Sequence, residues 1–245
     1  MPYCPQCGNQ LSGAEPRCPA CGQPTDSPPP LLEPSPARMQ ESLPLGDYFK
    51  TGWDLFKQYP GGFVGFCILY LVIQAALHRI PYVGPVASLA VSTPLIMGNF
   101  LVSAKLLHGQ TPEFRDFFGG FQYFLPLLLL SLIAGLFIGI GTILLIIPGV
   151  YLAVAYLFAS YLVVDRRLDF WPAMELSRRT VHPQWFSYFA FVLLVVLLNL
   201  AGAVALGVGL LVTIPLSFCT VTAAYADLFG FQSDYSQEVP RLKTP

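Results

Sequence analysis

Four cysteines near the start of this chain have the type and spacing of a metal site. They occur in two CPxCG motifs, with residues 8–17 between the second and third cysteines: Cys4, Cys7, Cys18 and Cys21. Four thiolates can close a tetrahedral site around Zn²⁺, and a complete set leaves no open position for water or substrate. We therefore expect these cysteines to bind one structural zinc ion rather than a catalytic one.

The two motifs resemble the small zinc ribbons found at the N-termini of many bacterial and archaeal proteins. A pair of disulfides is the alternative, but the distribution of cations along the chain puts this segment in a reducing compartment. Arg17 is the only cation of the ribbon, and Glu15 lies two residues away, which makes a poor surface for phosphate. We expect no nucleic acid partner, and we interpret the ribbon as a protein contact module or a structural cap.

The composition of the whole chain indicates a membrane protein. Charged residues make up 11% of the 245 residues, hydrophobic residues make up 54%, and the net charge is −1. A soluble domain carries about 25% charged residues. These values exclude a disordered chain, a coiled coil and an ordinary water-soluble enzyme.

Runs without charge predict six membrane spans. Residues 117–164 and 180–226 contain no Asp, Glu, Lys or Arg, and shorter neutral runs cover residues 58–78 and 80–104. One span needs about 20 apolar residues, so each long run accommodates two spans and each short run accommodates one. A buried soluble core is the alternative, but the long runs exceed what such a core needs.

The cations predict the orientation of these spans. Of the 13 lysine and arginine residues, Arg79 alone would lie on the outer side. The positive-inside bias then places both termini in the cytoplasm. No basic start precedes an apolar core at the N-terminus, so we expect no cleaved signal peptide. The predicted location is the bacterial cytoplasmic (inner) membrane.

The chain divides into four predicted regions. They are a zinc ribbon (1–23), a proline-rich linker (24–44), a six-helix transmembrane domain (45–230) and a cytoplasmic tail (231–245). The linker has no hydrophobic period and is predicted to be semi-extended. A PxxP-type ligand for a recognition domain is the alternative interpretation of the linker.

A short aromatic, amphipathic segment precedes each pair of spans, at residues 46–58, 111–124 and 169–180. Aromatic residues beside a few charges at helical spacing indicate helices lying in the interface, with aromatic belts at span ends as the alternative. The predicted fold is an all-α polytopic membrane protein with six transmembrane helices in three hairpins, each preceded by an amphipathic interfacial helix. Because each unit has two spans, we expect a pseudo-threefold axis along the membrane normal.

Each hairpin has an outer turn marked by glycine or proline, followed by a proline in the return span. The turns are predicted at residues 81–85, 139–141 and 207–209. Proline inside a span removes one backbone hydrogen bond and kinks the helix. We predict that Pro94, Pro148 with its neighbour Gly149, and Pro215 kink the return spans and open a groove toward the outer leaflet.

Three short motifs carry a resemblance to a known family. They are IPGVYLAVAY at residues 147–156, the pair Ser177-Arg178 after Ala173, and TIPL at residues 213–216. Residues 45–230 are similar to a bacterial six-span membrane domain that occurs fused to some glycerophosphodiester phosphodiesterases and in uncharacterised membrane proteins. The enzymatic part of those fusions is a separate barrel domain, for which this chain has no room. The resemblance therefore implies a location and a fold, and no reaction.

We find no catalytic motif in the sequence and expect no enzyme. There is no HExxH, no GxSxG, no phosphate loop and no pair of carboxylates inside a span. Polar side chains within or near the spans are Gln74, Asn99 and Asn199. Such amides usually join neighbouring helices, and the lining of a solute path is the alternative.

Four arginines flank the third amphipathic segment: Arg166, Arg167, Arg178 and Arg179. They either mark the cytoplasmic side of the membrane or bind anionic lipid headgroups. With no catalytic motif present, the sequence favours a non-enzymatic integral membrane protein that organises or handles lipid or a partner membrane protein.

The expected partners are membrane lipids and a protein bound through the ribbon or the linker. The alternative function is a transporter or channel built around a pseudo-threefold six-helix centre. A close-packed centre favours the organising role, whereas a water-filled cavity that reaches mid-membrane favours transport.

Overall fold

The computed structural model describes residues 43–80, 83–205 and 207–231, and the regular structure in these ranges is helical. The predicted zinc ribbon with its four cysteines, the linker up to residue 42 and the tail from residue 232 lie outside the described residues. The predictions made for those segments therefore stay predictions.

Six helical stretches are long and apolar enough to cross a membrane. They are Pro60–Leu77, Ala87–Leu107, Phe114–Leu144, Ile146–Arg166, Phe170–Val204 and Leu210–Phe229. These stretches confirm the prediction of six apolar helical segments and identify the chain as a multi-pass membrane protein.

The described residues form α-helices joined by short connections. The α-helices are α1 (Leu45–Gln58), α2 (Pro60–Leu77), α3 (Val83–Leu107), α4 (Phe124–Leu144), α5 (Ile146–Ala155), α6 (Ala159–Arg166), α7 (Phe170–Val181), α8 (Trp185–Val204) and α9 (Leu210–Phe229). Two 3₁₀-helices, Phe114–Tyr123 and His182–Gln184, precede α4 and α8.

The first amphipathic segment is the helix α1. It buries Tyr48, Gly52, Leu55 and Phe56, which recur at the spacing of one helix face. Asp47 in its first turn and Lys57 in its last turn match the helix dipole. The third segment, α7, likewise buries one face, so both segments are helices as predicted.

The second amphipathic segment is also helical, and its helix is of the 3₁₀ type, Phe114–Tyr123. It buries Phe117 and Gly120, three residues apart, because three residues per turn bring positions i and i+3 onto one face. That face lies directly on α3: a Cβ added to Gly98 would collide with the Phe117 carbonyl, and one added to Gly120 would collide with the Pro94 carbonyl. The close approach of the two backbones selects this geometry.

The three hairpins pair α2 with α3, α4 with α5 and α8 with α9. The turn predicted at residues 139–141 is wrong, since α4 continues through Leu144 and only Leu145 is extended. The backbones of α4 and α5 approach each other closely beside this turn. A Cβ added to Gly149 would lie 2.7 Å from the Thr142 nitrogen. Gly149 thus allows the two legs to approach closely.

The prolines of the return spans differ in their placement. Pro94 and Pro215 lie inside α3 and α9, as the sequence predicts. Pro148 is the third residue of α5, where a backbone N–H has no partner within the helix, so this proline removes no helical hydrogen bond. The interruption of the second return span lies instead between α5 and α6.

Each amphipathic segment makes its most extensive packing with the return span of the preceding hairpin. The 3₁₀-helix Phe114–Tyr123 lies on α3, α7 lies on α6 and α5, and α1 lies on α9. The last pairing joins the first segment of the domain to its last helix. The three units therefore follow one another in a closed ring.

Candidate functional site

The centre of the bundle is filled by aromatic side chains from the three return spans. The ring centroids of Phe100 in α3 and Tyr161 in α6 are 4.8 Å apart, and those of Phe100 and Tyr225 in α9 are 5.4 Å apart. Tyr161 and Tyr225 stack at 5.7 Å. All three side chains are buried, so the return spans are close-packed where they meet.

Two carboxylates bind tyrosines near the C-terminal ends of the return spans. The Tyr225 hydroxyl donates a hydrogen bond to Asp165 Oδ2 at 2.8 Å, and the Tyr48 hydroxyl donates one to Asp227 Oδ2 at 2.9 Å. Asp165 is buried, and Tyr225 is one of its partners. Sequence reasoning missed Asp165 as a core residue, because it directly follows a charge-free run and resembled a boundary charge.

Polar contacts also join each amphipathic segment to the ring. Lys105 of α3 forms an ion pair of 2.8 Å with Asp116 of the 3₁₀-helix. Ser177 of α7 donates to the Ala155 carbonyl at 2.8 Å and accepts from the Phe158 N–H at 3.2 Å. Ser177 thereby satisfies backbone groups freed by the break between α5 and α6.

Arg166 is engaged with the end of α9. Its Nη2 donates to the Phe229 carbonyl at 2.9 Å, and its guanidinium carbon lies 5.4 Å from the centroid of the Phe229 ring. A cation at the last carbonyl of a helix complements the helix dipole. Arg167 follows with a left-handed backbone (φ 53°) that ends α6. Arg166 thus has a structural role that the sequence did not predict.

Arg178 and Arg179 share one carboxylate on α7. Arg178 binds both oxygens of Glu175, at 2.9 and 2.8 Å, and Arg179 binds Glu175 Oε1 at 2.7 Å. One negative charge between two positive charges leaves a net charge of one positive. The side chain of Arg179 is 64% exposed, so this charge remains in contact with the surroundings.

An open pocket lies where α7 meets α8. Its volume is about 530 Å³, within the range of about 300–1,000 Å³ typical of small-ligand sites. Its lining residues are Tyr151, His182, Pro183, Gln184, Trp185, Phe186 and Ser187. The Tyr151 hydroxyl and His182 Nδ1 are 2.8 Å apart, and Trp185 Nε1 donates to the Tyr151 carbonyl at 3.3 Å. Tyr151 also interacts with Arg178, so Arg178 adjoins the pocket, and Arg179 is joined to Arg178 through Glu175.

A second, smaller cavity lies between α2, α3 and α9. It has a volume of about 190 Å³ and is mostly apolar, with Pro215, Cys67 and the buried Asn99 in its lining. The half-buried Ile214 and Phe218 also line it. Phe100, Tyr161 and Tyr225 of the aromatic centre are not among its lining residues.

The remaining amides join helices within hairpins. Asn199 Nδ2 of α8 donates to Ser217 Oγ of α9 at 2.7 Å. Gln74 of α2 accepts a hydrogen bond from Ser88 of α3. These contacts fit the interpretation of Gln74 and Asn199 as groups that hold neighbouring helices together.

Among the described residues, no group of three or more His, Cys, Asp or Glu is placed to hold a metal ion. The predicted zinc ligands Cys4, Cys7, Cys18 and Cys21 lie outside these residues. The two described cysteines, Cys67 and Cys219, are buried and unbridged.

Comparison of the chain with known protein families, with curated proteins and with solved structures finds no match. The resemblance to the six-span domain therefore stays a prediction. The function has to be argued from the geometry of the chain itself.

Proposed function

We propose that this chain is a non-enzymatic membrane protein that holds phospholipid at its side and organises it, or a partner membrane protein, in the bacterial cytoplasmic membrane. The observation that carries the proposal is the location of the larger pocket, which lies away from the aromatic centre of the bundle. The pocket at Tyr151 and Trp185 opens at the α7–α8 junction, whereas the axis of the bundle is filled by Phe100, Tyr161 and Tyr225.

The packed centre supports the organising role over the transporter or channel. A conducting path needs polar or charged groups along a wet cavity. Here the three return spans meet through aromatic rings, and Asp165 and Asp227 bind tyrosine hydroxyls at the inner end. These contacts close the axis of the bundle.

The chemistry of the α7–α8 pocket supports a phospholipid headgroup as its occupant. Trp185 and Tyr151 have the amphipathic rings that favour the level of the headgroups. The net positive charge of Arg178, Arg179 and Glu175 beside the pocket attracts an anionic phosphate. Phe186, which is 81% exposed, offers an apolar surface to the acyl chains.

The ring of contacts supports a pseudo-threefold arrangement. In each unit the amphipathic segment packs on the return span before it, through Lys105–Asp116, Ser177–Ala155 or Tyr48–Asp227. In this arrangement the α1–α9 contact closes the ring. The repeat would hold the amphipathic segments on the cytoplasmic side and keep both termini there.

The predicted zinc ribbon at Cys4, Cys7, Cys18 and Cys21 would extend this scaffold into the cytoplasm. The proline-rich linker would let the ribbon extend away from the membrane. The low charge of the ribbon favours a protein partner over nucleic acid. In this proposal the ribbon recruits a partner while the membrane domain fixes the location.

Analysis of retained lipid tests the proposal. The full chain is purified in mild detergent, its lipid is extracted, and the headgroup composition is compared with that of the source membrane. We expect at least one phospholipid per chain, with anionic headgroups enriched. A chain that retains no lipid above the detergent background would contradict the proposal.

A further inference from the structure

The cavity between α2, α3 and α9 is bordered by a buried amide that has no partner in the described chain. Asn99 lines this cavity and is 5% exposed. Its side-chain amide makes no hydrogen bond to another described residue, although its backbone carbonyl accepts one from Ser103 Oγ at 2.7 Å. Gln74 and Asn199, in contrast, each bond to a neighbouring helix. Asn99 therefore does not act as a link between helices as they do.

An amide in this position favours a ligand that supplies the missing partner. Burying an amide among apolar groups is costly unless a hydrogen bond satisfies it. The amide has two N–H donors and one carbonyl acceptor, so it can bind a carbonyl or a hydroxyl group. Because Asn99 borders a cavity of about 190 Å³, a molecule in that cavity could provide such a group.

The size and the lining of the cavity favour a single substituted ring. Phe66 and Tyr70 of α2 and Phe218 of α9 contribute aromatic side chains, and Pro215 of α9 also lines the cavity. The volume of about 190 Å³ exceeds the roughly 150 Å³ of an engineered apolar cavity that binds benzene. Aromatic side chains pack well against another ring, either stacked or edge to face.

The surroundings restrict the ligand to a neutral molecule that is soluble in hydrocarbon. Among the described residues that line the cavity, none is charged, and α2, α3 and α9 all belong to the stretches that could cross a membrane. Phe66 lies about 9 Å along α2 from its first residue, and Asn99 lies about 12 Å along α3 from its last. A phospholipid acyl chain at this depth would leave Asn99 unsatisfied, because its ester group stays near the headgroups.

We infer that this cavity binds the ring of a quinone-type lipid, which is neutral, soluble in hydrocarbon and carries carbonyl groups. Asn99 Nδ2 donates to a ring carbonyl, and the aromatic side chains pack against the ring. In the reduced ring a hydroxyl replaces the carbonyl and donates to Asn99 Oδ1, so one amide serves both forms. The cavity shares no lining residue with the α7–α8 pocket, so the inference does not rest on the proposed function.

Two ring compounds of nearly the same shape test the inference. They are duroquinone, a tetramethylated benzoquinone, and durene, the tetramethylated benzene without carbonyls. Every ring carbon of duroquinone that lacks oxygen carries a methyl group, which prevents addition of the Cys67 thiol. Each compound is added to the full chain in mixed micelles, and its affinity is obtained from the rise of the unfolding midpoint with ligand concentration.

Three variants locate the site. Asn99→Leu removes the amide at nearly constant side-chain volume. Cys67→Phe places an additional ring in the cavity that Cys67 lines. Val72→Phe is its matched control, because Val72 lies on the exposed surface of the same helix.

We expect the original chain to bind duroquinone about tenfold more tightly than durene, which is the effect of one hydrogen bond to a buried amide. Asn99→Leu should bind the two compounds equally, Cys67→Phe should bind neither, and Val72→Phe should behave as the original chain does. Equal affinity of the original chain for both compounds would overturn the inference, as would the absence of saturable binding. If Asn99→Leu does not fold, the two compounds and Cys67→Phe decide in the same way.

Discussion

The hydroxyl of Tyr225 in α9 donates a hydrogen bond of 2.8 Å to the buried carboxylate of Asp165 in α6. Sixty residues separate the two along the chain, and the bond joins two return spans beside the aromatic centre. A buried carboxylate is tolerated only where donors satisfy it. The contact therefore helps to hold the centre closed.

Replacing this donor should destabilise the domain. Tyr225→Phe removes one hydrogen bond from a buried carboxylate, so the free energy of unfolding should fall by about 1–3 kcal/mol. The measurement is unfolding of the purified chain in mixed micelles. Tyr123→Phe is the control, because that hydroxyl makes no hydrogen bond to another described residue. An equal effect of the two variants would contradict the role of the Tyr225–Asp165 bond.

The closed ring predicts a strong effect of glycine substitution at the contacts between units. A Cβ at Gly98 would collide with the Phe117 carbonyl, and one at Gly52 would lie 2.8 Å from the Thr220 nitrogen. Gly98→Ala and Gly52→Ala should each lower the free energy of unfolding by more than about 2 kcal/mol, because backbone has to move. Gly135→Ala in α4, with nothing within 4 Å, should be neutral or slightly stabilising. Tolerance of alanine at residue 98 would show that the segment does not lie on α3.

The Ser177 hydroxyl should stabilise the fold at the break between α5 and α6. Ser177→Ala leaves the Ala155 carbonyl and the Phe158 N–H without this partner, which should cost about 1–3 kcal/mol. Ser131→Ala is the matched control, because its hydroxyl only adds a bond to the Leu128 carbonyl of its own helix. Similar unfolding midpoints for both variants would contradict the assignment.

Metal removal tests the predicted ribbon. The full chain should contain one zinc ion, and a strong chelator should release it without loss of the helical signal of the membrane domain, because the ligands lie in a separate segment. Cys4→Ser should lower the zinc content, and Cys67→Ser should leave it unchanged. Zinc-free protein after purification without chelators would refute the four-cysteine site.

The apolar architecture was predictable because hydrocarbon imposes a length and a composition on every span. The amphipathic segments at α1 and α7 were predictable from helical spacing. The 3₁₀-helix was not, because its geometry depends on a backbone contact between Gly98 and Phe117 that no local pattern encodes. The turn at Leu145 was also missed, since Gly139 and Gly141 suggested a turn, whereas both lie within α4 and Gly141 faces Gly149 of α5.

The candidate site was predictable only in part. Arg178 does adjoin an open pocket, but Arg166 binds the end of α9. The pairing of Asp165 with Tyr225 could not be predicted from the sequence, because it depends on the packing of two helices that are distant in sequence. Tyr151 and Trp185 likewise meet only in the folded chain, and they define the pocket on which the proposed function rests.

Native mass spectrometry with defined phospholipid is the most direct test of the central claim that lipid binds at the α7–α8 pocket. Ser187→Trp should fill this pocket and lower the fraction of chains that retain phosphatidylglycerol at least several-fold. Leu197→Trp, a substitution on the exposed apolar surface of the same helix, should bind lipid as the original chain does. Equal retention by all three chains would contradict the account.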